Sequence, residues 1–151
     1  MFFRRVLLPL IVAYVATSSV ASEDLSPRAL RFANHVDGAG CSLQLLSTAS
    51  KGDVFQWDFN DEAWINLGGA DLRLHLLSSR GMNLEEWVGS IGDKQVVTFS
   101  GKDVRVIVTM TLRSKCPASD ESCEAVRVDG KVLVKTPKHS IVFRARGMCG
   151  T

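Results

Sequence analysis

The sequence predicts a mainly β protein, a small antiparallel barrel or sandwich of about eight strands. Two observations carry that prediction. Beyond Cys41, apolar and polar residues alternate with period two in run after run, the pattern of strands with one buried face. Short turn-forming clusters separate the runs, as in up-and-down β folds.

The chain opens with a different kind of segment, MFFRRVLLPLIVAYVATSSVASED. Arg4 and Arg5 form a positive start, Val6 to Ala16 an apolar run, and Ser19-Val20-Ala21 a small-residue cleavage site. This is the layout of a secretory signal peptide, residues 1–21, cut after Ala21 or Ser22. A membrane anchor would need about 20 apolar residues, more than this run supplies. Cys41 is not a lipid-attachment cysteine. Gly38 stands where such a motif wants an aliphatic residue, and Cys41 lies too far past the apolar run. No later stretch is of spanning length. The expected product is a soluble periplasmic or secreted protein of one domain.

Residues 22–40 form an N-terminal segment. In SPRALRFAN, Ser26 offers an N-cap and Pro27 an N1 residue for a short helix, which HVDGAG would end. The β domain then runs over 41–151. VFQWDF places Phe55, Trp57 and Phe59 on one face, with Gln56 and Asp58 on the other. AWINL follows an NDE turn. GGAD leads into LRLHLL, where Leu72, Leu74 and Leu76 alternate with Arg73, His75 and Leu77. LSSRGMNLEEWVGSIG, residues 77–92, reads as a long loop around a core Trp87, and long loops on β scaffolds often carry recognition. QVVTF and SGKD lead into VRVIVTMTLR, whose Val104, Val106, Val108, Met110 and Leu112 share a face. AVRV and KVLVK read as a hairpin about Asp129-Gly130, a dipeptide suited to a type I′ turn. TPKH turns the chain into SIVFRAR.

Four cysteines behind an export signal read as two disulfides. The expected pairing is Cys116 with Cys123, closing CPASDESC as the connection between two strands, and Cys41 with Cys149, tying the start of the domain to its end. Cys116 and Cys123 are too far apart for a zinc knuckle or a C-x-x-C redox pair. His35, His75 and His139 are scattered, so no metal site is expected. DFNDE opens like a calcium loop but has Ala63 where glycine is required. No nucleophile motif or phosphate-cradling glycine loop occurs, and no catalytic residue or cofactor is assigned.

Charge is the remaining signal. Residues 22–93 hold 5 basic and 11 acidic side chains, whereas residues 94–151 hold 11 and 5. Lys131, Lys135, Arg144 and Arg146 fall on the polar face of the last strands, with Lys138 in a turn. A basic patch of this kind steers anionic partners. The competing reading is that these cations neutralise acidic strands beside them. Arg80 and Met82 in the long loop, and Asp120 and Glu121 in the cysteine loop, complete the candidate contacts. The expected partner is a protein or an anionic envelope component. Nucleic acid is not expected, given export and a balanced mature charge.

The stretch from Trp57 to Gly150 resembles a family of small exported bacterial proteins that share a CP-x-x-DESCE loop and a terminal G-x-CG. That resemblance implies the β fold and brings no activity. GGADLRLHLLSSRG is more weakly similar in layout to the strand-then-loop element of periplasmic inhibitors of C-type lysozyme, which are disulfide-tied eight-stranded barrels. Their serine, glycine and tyrosine loop has no counterpart here, so no inhibitory residue is carried over. The expected function is therefore an exported binding protein, an inhibitor or immunity-type partner, and not an enzyme. The alternatives are an envelope hydrolase using Asp58, Asp61 and Glu62, and a structural envelope protein.

Overall fold

The computed structural model describes residues 24–47, 51–86, 88–117 and 119–150. The signal-peptide expectation and the placement of Trp87 lie outside the described residues. Eight antiparallel strands follow one another around a closed barrel: β1 Gly40–Leu45, β2 Asp53–Trp57, β3 Glu62–Leu67, β4 Ala70–Gly81, β5 Lys94–Gly101, β6 Val104–Leu112, β7 Ala125–Lys135 and β8 Ser140–Gly150. Each strand pairs with the next in sequence, and β8 closes on β1. Closure leaves no sheet edge.

Alternation puts the core inside. In β6, Val104, Val106, Val108, Met110 and Leu112 all face inward, as expected from the sequence. Phe99 meets Phe55 in a tilted contact and Trp57 edge-to-face inside the bore, with ring centroids 5.6 and 5.7 Å apart. Leu43, Ile65, Leu74, Val132 and Val134, all fully buried, add to the fill. This is a packed barrel rather than a ligand-holding cup.

Both disulfides have the expected partners. Cys41 and Cys149 sit directly opposite each other across the β1–β8 seam and are bonded there. Cys116 and Cys123 are bonded within the β6–β7 connection.

Three sequence expectations are corrected. First, Asp129 and Gly130 do not form a turn. β7 runs straight through them, with Gly130 paired to both Met110 and Ala145. A Cβ built on Gly130 would stand 2.9 Å from Leu43 Cδ1, so the glycine makes room for a core leucine. The eighth strand that the hairpin reading supplied comes instead from GCSLQL, β1.

Second, the loop at 77–92 begins later than expected, because β4 continues to Gly81. A register shift between Leu76 and Ser78 leaves Leu77 bulged and exposed and reverses the parity beyond it. Ser79 then pairs on the face of Val97, and although exposed its Oγ accepts a hydrogen bond from the buried Gln95 side chain (2.8 Å). The broken alternation hid the strand's second half.

Third, residues 24–39 contain no helix; they form an extended strap outside the barrel. The N–H groups a helix would use internally go to the barrel instead. Arg28 N–H donates to the Asn66 carbonyl at 3.2 Å and Leu30 N–H to the Asp53 carbonyl at 2.6 Å. Asp71 anchors the middle of the strap. Its carboxylate, 6% exposed, accepts from the N–H groups of Arg31 and Phe32, from Asn66 Nδ2 and from His35 Nε2. His35 stacks on Trp64 with centroids 4.0 Å apart. The strap also covers Gln56, which accepts from His35 N–H and donates to the Ala33 carbonyl. That cover is why β2 is buried on both faces.

Candidate functional site

The order of strands decides what the charge asymmetry does. In a meander, a strand's neighbours are its sequence neighbours, so the basic second half of the chain stays together in space. Strands β5 to β8 carry seven cations and one carboxylate, Asp129. The strands flanking this half offer little neutralisation: β1 carries no charged side chain, and β4 carries one carboxylate, Asp71, with two arginines.

On β6, β7 and β8 the outward residues form rows, fixed by register. Arg105 lies beside Lys135, which pairs with Ser140. Next comes an apolar row of Ile107, Leu133 and Val142, with Val142 exposed. Thr109, Lys131 and Arg144 follow, then Thr111, Asp129 and Arg146. Strands lie about 4.8 Å apart and outward residues recur about every 7 Å along each, so the wall is a lattice of cations. Among the described residues, only one of the cations bordering it has an ion pair: Arg113 Nε donates to Asp129 Oδ2 at 2.6 Å. Two concavities open on this wall. One of about 500 Å³ is bordered by Arg113, Arg127, Arg146 and Met148, and reaches Gln44 and Asp53. One of about 310 Å³ lies beside Lys131 and Arg144.

The connections β2–β3, β4–β5 and β6–β7 gather at the opposite pole of the charge distribution. These stretches, residues 58–62, 82–93 and 113–124, carry nine acidic and two basic side chains. Lys115 Nζ ties two of them together by donating to the Gly89 carbonyl at 2.5 Å. Val88 and Ile91 project from this end, both exposed.

The expected contact residues therefore divide among four places. Lys131, Lys135, Arg144 and Arg146 share the wall, and Lys138 stands in the turn above it. Asp120 and Glu121 are exposed in the disulfide loop at the acidic end. Arg80 is exposed on β4, away from the wall. Met82 is half-buried and packs against the core. Arg113, Arg127 and Arg105 belong to the wall but escaped the sequence reading. The sequence reading ends Arg127's strand at a turn, whereas the continuity of β7 aligns it with Lys131 and Lys135.

The acidic turn has a structural occupation. Asp58 Oδ1 accepts from Asn60 N–H (2.9 Å) and Glu62 N–H (3.3 Å), and Glu62 pairs with Arg73. None of Asp58, Asp61 and Glu62 borders either concavity of the wall.

Compared with protein-family models, curated proteins and solved structures, the chain matches none.

Proposed function

We propose that this protein is an exported barrel of the bacterial envelope that acts by binding, holding a polyanionic chain such as an acidic glycan against the wall of β6 to β8. The observation that supports this reading is the clustering of Arg105, Lys131, Lys135, Arg144 and Arg146 on one rigid face with Asp129 as its single carboxylate. Holding the cations on paired strands leaves no backbone to order on binding, which favours affinity. Two disulfides suit an oxidising compartment, in keeping with export to the periplasm or beyond. A membrane surface is a poorer match, because Val142 and Met148 alone are large, apolar and well exposed on this wall.

The test is titration of the oxidised protein with a sulfated or carboxylated oligosaccharide, alongside anionic vesicles. Binding should be strong at low ionic strength and weaken as salt screens the contacts, the Debye length falling from about 30 Å at 0.01 M to about 8 Å at 0.15 M. Absence of oligosaccharide binding at low salt, or capture by vesicles in preference, overturns the proposal.

A further inference from the structure

The larger concavity differs from the rest of the wall in carrying uncompensated charge of both signs. On one side stand Arg127 and Arg146, on adjacent strands in diagonal register, and neither has an ion pair among the described residues. Arg113 borders the same space but is committed to Asp129. On the other side stands Asp53, two strands from Arg146 through Gln44, a backbone separation of about 10 Å.

Asp53 is held in place without being neutralised. Gln44 Nε2 donates to its Oδ1 at 3.1 Å, and Gln56 Nε2 to its Oδ2 at 2.8 Å. Amide donors orient a carboxylate but bring no positive charge. Each oxygen has a second lone pair, so the group can still accept from a ligand. Gln56 is itself buried and braced by the strap, which fixes the direction in which Asp53 points. Among the described residues no guanidinium closes on Asp53 within 4.0 Å, although Arg146 lines the same cavity.

We infer that this concavity is a binding site for a small zwitterion, with an oxyanion seated on Arg127 and Arg146 and a primary ammonium seated on Asp53. A volume of about 500 Å³ falls in the range of small-molecule sites. Met148 and the aliphatic stems of the arginines supply an apolar floor for the link between the two charges. The chemistry has two sources in an envelope, a phosphoethanolamine group and a short peptide, and the same site accommodates the charges of either. This site shares Arg146 with the proposed polyanion surface but not Lys131 or Arg144, and zwitterion binding does not depend on those two.

The experiment is an amide-shift NMR titration of the oxidised protein with phosphoethanolamine and with glycylglycine. Inorganic phosphate and ethanolamine serve as the half-ligands of the first, acetate and ethanolamine as those of the second. One or both zwitterions should perturb Ser42, Gln44, Asp53 and Arg127, and bind at least about tenfold more tightly than either half-ligand. Whichever zwitterion binds names the source. D53N and R127Q should each lower that affinity about tenfold, with thermal melts confirming that both variants fold, whereas K131E/R144E should leave it within about twofold. Equal binding of phosphate and phosphoethanolamine, binding indifferent to D53N and R127Q, or no binding of either zwitterion overturns the inference.

Discussion

Separate removal of the two disulfides, as C41A/C149A and C116A/C123A, should have very unequal effects. The first bond joins residues 108 apart and the second joins residues 7 apart. In the chain-entropy model, constraining the unfolded chain over those spans contributes about 5 kcal/mol for the long loop and about 2.5 kcal/mol for the short one. The structure adds to the inequality. Cys41 and Cys149 are buried in the seam that closes the barrel, so their loss also leaves small voids beside Trp57 and Val126, whereas the other pair sits in an end loop. Urea unfolding followed by tryptophan fluorescence gives the free energies. C41A/C149A should lose at least about 2 kcal/mol more than C116A/C123A. Equal losses, or a larger loss at the short loop, would refute the view that the seam bond restrains the whole domain.

Further outcomes follow from individual side chains. G130V places methyl groups against Leu43 inside the barrel and should destabilise by about 1–3 kcal/mol in the same assay. Asp71 is also sensitive to pH. Burial raises its pKa, but hydrogen bonds from Arg31 N–H, His35, Asn66 and Phe32 N–H outweigh that and hold it below the ordinary value. A depressed folded pKa stabilises above the unfolded value near 4, and that stability disappears as pH falls through the folded value. The protection factors of the Arg31 and Phe32 amides, corrected for the slower intrinsic exchange in acid, should therefore fall as the pH drops, and D71A should cost about 2–4 kcal/mol at neutral pH by leaving several donors unpaired. The exposed Arg113–Asp129 pair should matter far less: R113A is expected to change stability by under about 1 kcal/mol.

Much of the barrel is legible in the sequence because the period-two runs of β2, β3, β5, β6 and β8 each have a clean apolar face. What is not legible is tertiary in origin. Asp129-Gly130 has the local chemistry of a turn, but pairing on both sides of β7 and the space claimed by Leu43 override it. Ser26-Pro27 has the chemistry of a helix start, but Asp24 takes up Ser26 N–H and hydroxyl while Asn66 and Asp53 claim the next N–H groups. β1 was missed because only six residues, GCSLQL, carry it, and two of its outward positions are Ser42 and Gln44. The cationic wall was half visible. Alternation put Lys131, Lys135, Arg144 and Arg146 on one face. The join to Arg105, Arg113 and Arg127 needed the register of β6 against β7. The pairing of Asp53 with an arginine-lined cavity had no sequence signal, since it crosses the barrel's closure between β8 and β1.

The measurement that bears most directly on the binding proposal is the affinity of two charge-reversed proteins for the same acidic oligosaccharide at low salt. K131E/R144E inverts the wall, and E85K/E86K inverts exposed charge at the far end of the barrel. If the wall is the binding surface, K131E/R144E should lose at least about tenfold in affinity, roughly 1.4 kcal/mol, while E85K/E86K binds as well as the parent or better. Unchanged affinity in K131E/R144E, with both proteins folded, would contradict it.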